Sequence, residues 1–335
     1  MIASLKFITR TIFIVLLLSI PLSGASSQSD TVVYLPLIQS GDEGFLDNGN
    51  RDESLAFYES NYIISSPLPI DWTGSHESCD PGTTSPDFQQ AVLRRINYFR
   101  AMAGVPDDVL FSEEPNLKAQ AAALLMSVNY NLDHIPPESW TCYSDLAYQG
   151  ASSSNLFLGI NGWDAITGYM RDSGSSNDAV GHRRWILNPQ TRVMGSGDIP
   201  ATDSYPASNA LVVFDDYLRT PRPETRDDFV AWPPPGYVPY PVVFTRWSFS
   251  YPDADFSEAK VEMSWEGEEL SITQAPIYDG YGENTIVWQL TGMDSGAYWP
   301  APSQDIRYQI SILDVIIDGQ YLEFSYEVIV FDPST

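Results

Sequence analysis

The sequence SPDFQQAVLRRINYFRAMAGVP, residues 85–106, predicts the first helix of a folded domain. Ser85 can cap this helix, and Pro86 suits its first turn because the amide hydrogen that proline lacks has no partner there. Gly104 is a good helix terminator. Apolar side chains recur at three- and four-residue steps and form one apolar face: Phe88, Val92, Ile96 and Phe99. The stretch therefore predicts a helix over residues 86–103.

Similar patterns continue along the next hundred residues. Apolar stripes predict a second helix over residues 115–129 and a third over residues 162–171. Two short strands are expected near residues 192–195 and 210–214. We therefore expect residues 85–220 to form a mixed α+β domain around one core.

Prolines and polar residues mark the boundaries of this domain. Seven prolines occur in residues 221–241, and because prolines fix extended geometry and remove backbone donors, we interpret this segment as a linker. Residues 26–84 are polar with few apolar periods, so we interpret them as an irregular N-terminal linker. Residues 242–335 contain several short stretches of alternating apolar and polar residues, which predict an all-β, immunoglobulin-like sandwich.

The start of the chain has the order of features typical of a secretory signal. Lys6 and Arg10 form a positive region around the start of the apolar run 11–22, and the small residues 23–25 offer a cleavage site. A retained membrane anchor is the alternative, but the run is shorter than the roughly 20 apolar residues of a spanning helix. We predict that residues 1–25 are a signal peptide, that the protein is secreted, and that no transmembrane segment remains after cleavage.

Charge and cysteine content narrow the environment further. The chain has 44 Asp and Glu against 17 Lys and Arg, a formal net charge of -27. So acidic a surface repels phosphates, which excludes nucleic acids and anionic lipid headgroups as primary partners. Cys79 and Cys142 are expected to form a disulfide in an oxidising compartment. Two buried free thiols are the alternative.

The sequence contains three histidines, His76, His134 and His182. His134 follows the second predicted helix and His182 follows the third. They form no local metal motif, and each histidine could instead bond a backbone carbonyl and hold a loop. The chain contains no Gly-x-Ser-x-Gly elbow, phosphate loop or dinucleotide fingerprint.

Ordered motifs carry a resemblance to a known family. They are NYFR at 97–100, GVP at 104–106, the alanine-rich AQAAALLMSVN at 119–129 before His134, and GHR at 181–183 followed by WIL at 185–187. Together they resemble the CAP domains of cysteine-rich secretory proteins, antigen 5 and plant pathogenesis-related proteins, in their bacterial form. The C-terminal segment looks like the β-domain attached to some bacterial CAP proteins. The resemblance implies a three-layer α/β/α sandwich with a central cleft.

In many CAP domains two histidines and two acidic residues line that cleft, and the histidines can bind a divalent metal. The resemblance places His134 and His182 at the histidine positions. It places Ser154, followed by Asn155, where the first acidic residue usually stands. A serine cannot act as a carboxylate base or an anionic ligand. The second acidic position falls at Asp172.

Two imidazoles alone would hold Zn²⁺ weakly, so a metal site would need further ligands. Asp172 and Glu138 are candidates. His76 is a third candidate, because the predicted disulfide would tie its segment to the loop that holds His134. We therefore carry forward the hypothesis that His76 approaches the cleft and replaces the lost acid.

These observations favour a secreted CAP-domain protein that binds an extracellular ligand in the cleft. The ligand class stays open among a small molecule, a lipid or sterol, an envelope component and a divalent metal. One alternative is a metal-dependent, protease-like hydrolase that uses His134 and His182. Another is a structural or adhesive envelope protein with a vestigial cleft. The missing carboxylate at Ser154 favours binding over catalysis.

Overall fold

The computed structural model describes residues 44–335, and the predicted signal peptide lies outside this range. The helices are α1 Arg51–Phe57, α2 Pro86–Met102, α3 Glu113–Asn129, α4 Asp145–Ser152, α5 Gly162–Arg171 and α6 Gly181–Ile186. The first four strands are β1 Leu110–Phe111, β2 Ser154–Leu158, β3 Val193–Ile199 and β4 Ser208–Val212. The remaining strands are β5 Val230–Trp232, β6 Gly236–Pro239, β7 Arg246–Tyr251, β8 Lys260–Trp265, β9 Glu268–Glu269, β10 Ile272–Gln274, β11 Asn284–Leu290, β12 Ile306–Ile317 and β13 Gln320–Phe331.

Strands β1 to β4 form a sheet that helices cover on both faces. The order is β1-β3-β4-β2, with β1 and β3 parallel and the other pairs antiparallel. Successive side chains of a strand point to opposite faces. Leu211 of β4 accordingly shares a core with residues of α2 and α5, whereas Ala210 and Val212 share a core with residues of α3 and α4. The predicted α/β/α sandwich is therefore confirmed.

Strands β5 to β13 form two further sheets, with orders β10-β11-β7-β5 and β6-β13-β12-β8-β9. Aromatic rings from the two sheets meet in a shared core. The ring centroid of Trp247 in β7 lies 5.7 Å from that of Tyr308 in β12, and the centroid of Phe249 lies 5.0 Å from that of Phe324 in β13. The prediction of an all-β C-terminal region is confirmed.

The segment interpreted as an irregular N-terminal linker is helical over residues 51–65. The rings of Tyr58 and Tyr62 lie 6.1 and 5.1 Å from the ring of Tyr98 in α2, centroid to centroid. This part of the linker interpretation is corrected. The apolar surface that the short helix needs is supplied by α2, which follows later in the chain, so local periodicity does not reveal it.

The proline-rich segment 221–241 also contains regular structure. Strand β5 pairs with β7, and strand β6 pairs in parallel with β13. Trp232 at the end of β5 is fully buried and donates its indole N–H to the Val242 carbonyl at 3.1 Å. This segment therefore belongs in part to the C-terminal sheets, because edge strands tolerate proline where no ladder donor is required.

The predicted disulfide between Cys79 and Cys142 is present. It joins the segment before α2 to the loop between α3 and α4. Among residues 44–335, no helix has both the length and the apolar character needed to cross a membrane.

Candidate functional site

His134 and His182 line two adjoining cavities of about 340 Å³ each. His134 lies in the loop after α3, and His182 lies in the first turn of α6. Ser176 and Asn177 also line both cavities. Because the two cavities share these four residues, we treat them as two parts of one site and call it the histidine cleft. The first part also contains Leu156 and Asp172, and the second part contains Ser154 and Asn155, among others.

The ring of His182 is oriented by Asp172. His182 Nδ1 lies 2.7 Å from Asp172 Oδ1, and the His182 backbone N–H donates to Asp172 Oδ2 at 3.0 Å. A carboxylate only accepts hydrogen bonds, so Nδ1 is the donor, and in a neutral imidazole Nε2 then keeps the lone pair. Asp172 has a φ of 50°, a left-handed conformation that aspartate tolerates better than most residues.

His134 has the same arrangement with a different partner. Its Nδ1 lies 3.0 Å from the carbonyl oxygen of Ala151, which can only accept. Nδ1 is therefore the donor, and Nε2 is again the free nitrogen. The prediction that a histidine here bonds a backbone carbonyl is met by His134, whereas His182 is held by a carboxylate.

Buried polar groups support the floor of the cleft. Asn155 Nδ2 donates to the His182 carbonyl at 3.1 Å. The Tyr169 ring lies 5.4 Å from the His182 ring, and the Tyr169 hydroxyl lies 2.8 Å from Asn209 Oδ1. Burial raises the pKa of Tyr169 well above its usual value, so this hydroxyl stays protonated and available as a donor.

Ser154 lines the second part of the cleft and is 5% exposed. Its Oγ has no hydrogen-bond partner in the part of the chain that the structure describes. A buried hydroxyl without a partner is unfavourable, because its hydrogen bonds to water have been lost. Ser154, which the resemblance places at the acidic position, is therefore a neutral polar group without a hydrogen-bond partner in the cleft wall.

Arg246 of the C-terminal sheet holds the loop that follows α5. Its guanidinium donates to the carbonyls of Asp172 at 2.5 Å, Gly174 at 2.8 Å and Asn177 at 3.1 Å. It also pairs with the Asp178 carboxylate at 2.6 Å. The residue that orients His182 is thus positioned by a strand of the C-terminal domain.

Arg183 adds a second buried connection next to the cleft. Its Nε donates to the Met170 carbonyl at 2.7 Å, and its Nη1 donates to the Arg246 carbonyl at 2.9 Å and to Ser248 Oγ at 3.0 Å. Burial lowers the pKa of Arg183 to about 9, although the nearby Asp172 opposes this shift. At neutral pH the side chain is still charged and links α6 to the C-terminal sheet.

The structure does not bring Glu138 or His76 to the cleft. Glu138 is exposed and lines neither cavity. The His76 ring is buried, stacks on the Tyr205 ring at 4.2 Å between centroids, and places Nε2 3.2 Å from Ser127 Oγ. The hypothesis that His76 replaces the lost acid is corrected, because this packing holds the ring outside both cavities.

An imidazole with a free Nε2 atom is a type of donor that divalent metal ions take in proteins. A carboxylate that accepts from Nδ1, as Asp172 does, is the orienting contact that metal-bound histidines commonly have. Within residues 44–335, no group of three or more His, Cys, Asp and Glu side chains is arranged to hold a metal. An ion at His134 and His182 would therefore be completed by water or by a bound ligand.

Sequence reasoning missed two contributors from the C-terminal domain, Arg246 and Tyr281. Tyr281, in the loop between β10 and β11, lines the second part of the cleft with both histidines. Neither residue carries a local signal. Arg246 acts only by holding the loop after α5, Tyr281 lines the cleft, and both roles depend on the packing of the two domains.

Comparison with known families matches the region that carries both histidines. Residues 93–213 match the family model described as CAP, the cysteine-rich secretory protein family. This part of the chain is a CAP domain. The match includes α3, α6 and β2, the elements that bring His134, His182 and Ser154 to the cleft.

Solved structures with a detectable likeness include PcoC, a methionine-rich copper resistance protein from Escherichia coli. This structure has 14% sequence identity, covers 30% of this chain and 92% of its own, and has a TM-score of 0.23. Its selenomethionine form has 13% identity, covers 32% and 99%, and has the same TM-score. At this score the likeness supports no argument about the CAP-domain protein. No curated protein matches the sequence.

Protonation of His76 should weaken the fold of this CAP-domain protein. Burial lowers the pKa of His76 below its usual value, so the unfolded chain takes up a proton more readily than the native state. We expect the contribution of the neutral ring to be complete above about pH 6.5 and to be lost as pH falls through the lowered native pKa. The free energy of unfolding can be measured with urea at about pH 7.5 and at about pH 5. Its decrease between these two pH values should be smaller for His76→Phe than for the unmodified protein. An equal loss in both proteins would refute this role.

Proposed function

We propose that this protein is an extracellular ligand-binding protein whose CAP domain holds a small ligand through the Nε2 atoms of His134 and His182. The observation that carries the proposal is that the two histidine rings have the same hydrogen-bonding arrangement. Each uses Nδ1 within the protein and keeps Nε2 free, and both line the same cleft. The signal-like N-terminal sequence and the Cys79–Cys142 disulfide support a location outside the cytoplasm.

The surroundings of the imidazoles favour binding over nucleophilic catalysis. A histidine that activates a nucleophile lies within hydrogen-bond reach of a hydroxyl or thiol. Among the described residues, no hydroxyl or thiol bonds the Nε2 of His134 or His182. Both cysteines are committed to the disulfide, and Ser154 stands where the family usually has a carboxylate. These features support a site that holds a ligand without bond cleavage.

Zn²⁺ is a direct probe of the two free nitrogens. We expect calorimetric titration of the full secreted chain to show one Zn²⁺ site that is weaker than a closed four-ligand site. Replacing either His134 or His182 with alanine should abolish this binding, because only two protein ligands are available. His76→Gln is the matched control and should leave it unchanged. Binding that persists in the double variant of His134 and His182 would refute the proposed function.

The same titration measures the role of Asp172. Asp172→Asn should weaken Zn²⁺ binding by about 10- to 100-fold, the usual cost of losing the group that orients a metal-bound histidine. Glu138→Gln removes a nearby exposed carboxylate that lines neither cavity, so it should have no effect. If both variants bind alike, the orienting role of Asp172 is wrong.

The two free Nε2 atoms also favour one second candidate, a metal-dependent hydrolase in which His134 and His182 would hold a divalent metal that activates a water molecule. Such an enzyme should cleave a protein substrate such as casein, and a chelator or His182→Ala should stop the reaction. Turnover with these properties would support the hydrolase. Zn²⁺ binding without turnover would support the binding function.

A further inference from the structure

We propose that the ligand of the histidine cleft is a neutral saccharide and that Tyr281, from the C-terminal domain, is the residue that selects it. This inference rests on the proposed function, since it assumes that the cleft is a ligand site. It adds the chemical class of the ligand and a role for the C-terminal domain.

One wall of the second cavity is aromatic. Trp185 of α6, Phe214 after β4 and Tyr281 line it. Phe214 and Tyr281 are 44% and 39% exposed, and the rings of Trp185 and Phe214 meet edge to face with centroids 4.6 Å apart. Aromatic surface left uncovered in a cleft favours a ligand that has an apolar face of its own.

The rest of the same cavity is polar but uncharged. Its described lining contains no Asp, Glu, Lys or Arg, although the whole chain has a net charge of -27. The polar lining consists of hydroxyl, amide and imidazole groups: Ser152, Ser154, Ser176, Asn155, Asn177, His134 and His182. A phosphate or carboxylate group would find no opposite charge in this part of the cleft. Hydroxyl groups of a ligand would find both donors and acceptors.

The buried, unpaired Oγ of Ser154 argues independently for a polar ligand atom. A purely apolar ligand would leave this buried hydroxyl without a partner, which is unfavourable. A saccharide ring has an apolar face of C–H groups and an edge of hydroxyls. The apolar face can stack on the aromatic wall, and the hydroxyls can form hydrogen bonds with the polar side chains of the cavity. A cavity of about 340 Å³ is near the lower end of the usual range for ligand pockets, which fits a short saccharide.

The loop that carries Tyr281 is held on the CAP domain by Arg184. This buried side chain donates to the carbonyls of Tyr278 and Glu283, each at 2.9 Å, and its guanidinium carbon lies 5.4 Å from the Tyr281 ring centroid. Glycines at positions 280 and 282 have φ values of 88° and 87°, which residues with a Cβ rarely adopt. The loop therefore has a defined shape, and Tyr281 is presented to the cleft as a fixed wall.

The ring of Tyr281 also fits closely against α6. A Cβ built on Gly181, the residue before His182, would lie 2.6 Å from a carbon of the Tyr281 ring. Glycine at this position lets the ring approach the helix start that carries the histidine. The Tyr281 ring of the C-terminal domain thus packs against the backbone of Gly181, directly before His182.

The test uses the full secreted chain and neutral tri- and tetrasaccharides of glucose, mannose and N-acetylglucosamine as probes. Binding is measured by calorimetry and by tryptophan fluorescence, which Trp185 should report. We expect at least one saccharide to bind, and Tyr281→Ala to weaken it by about 10-fold, the loss of one aromatic stacking contact. Tyr281→Phe should retain most of the affinity. Tyr278→Ala is the matched control, since Tyr278 is 38% exposed on the same loop and does not line the cleft.

The outcomes separate the two proposals. If His134- and His182-dependent Zn²⁺ binding is present but no saccharide binds, the saccharide inference is overturned and the proposed function stands. If a saccharide binds and depends on Tyr281 but not on either histidine, and Zn²⁺ does not bind, the proposed function falls while the role of Tyr281 stands. Equal affinity in Tyr281→Ala and Tyr278→Ala would overturn the selecting role of Tyr281. Thermal unfolding of each variant confirms that the proteins compared are folded.

Discussion

Replacing both Cys79 and Cys142 with serine should lower the free energy of unfolding by about 4 kcal/mol. The bridge closes a loop with a sequence separation of 63 residues. In the chain-entropy model, a loop of this size restricts the unfolded chain enough to account for that value at 25 °C. Urea unfolding of the double variant beside the oxidised protein measures the difference.

The disulfide should also affect the histidine cleft, because it anchors the loop that carries His134. The same loop is held by Asn129, which donates from Nδ2 to the Thr141 carbonyl at 2.9 Å and accepts from the Thr141 N–H at 3.1 Å. The reduced native protein is the control and should match the double serine variant in stability. A loss below about 1 kcal/mol would show that the bridge contributes little beyond these hydrogen bonds.

Replacing Arg100 with methionine should lower the free energy of unfolding by about 4 kcal/mol. The guanidinium of Arg100 is fully buried in α2 and donates to four carbonyls, those of Pro106, Ile186, Asn188 and Thr191. Each buried acceptor left without a partner costs about 1–3 kcal/mol. We use the lower end of this range, because burying the charged guanidinium is itself unfavourable and methionine carries no charge. The same burial lowers the pKa of Arg100 to about 9.

The change should reach the cleft as well. Ile186 ends α6, the helix whose first turn holds His182, and Arg100 bonds its carbonyl at 2.7 Å. We expect weaker Zn²⁺ binding together with the loss of stability. Arg100→Lys keeps the charge but cannot reach all four carbonyls, so its free energy of unfolding should lie between those of the methionine variant and the unmodified protein. Urea unfolding measures the free energy of unfolding of the three proteins. A methionine variant as stable as the unmodified protein would show that the Arg100 hydrogen bonds do not stabilise the fold.

The long helices follow closely from the amphipathic patterns in the sequence. The third predicted helix, residues 162–171, is observed with the same bounds, and α2 ends one residue before the prediction. The second begins two residues early, at Glu113. Helices α4 and α6 were not predicted, because their eight and six residues are too short for a periodic signal. Their positions depend on the sheet and helices that they pack against.

Sequence alone determined the parts of the site that local pattern and chemistry can specify. The order of motifs identified the CAP region, selected His134 and His182, and placed Ser154 where an acid usually stands. Two cysteines and a predicted export signal were enough to predict the disulfide. Each of these predictions depends on residue type and order, which do not require knowledge of distant contacts.

Only the tertiary structure decided how those residues are used. It paired Asp172 with His182, held His76 against Tyr205 away from the cleft, and brought Tyr281 from the C-terminal domain into the cleft wall. The physical reason is that these contacts join residues that share no helix face or strand register. Their energies depend on burial and on the packing of separate elements, and periodicity along the chain carries no record of either.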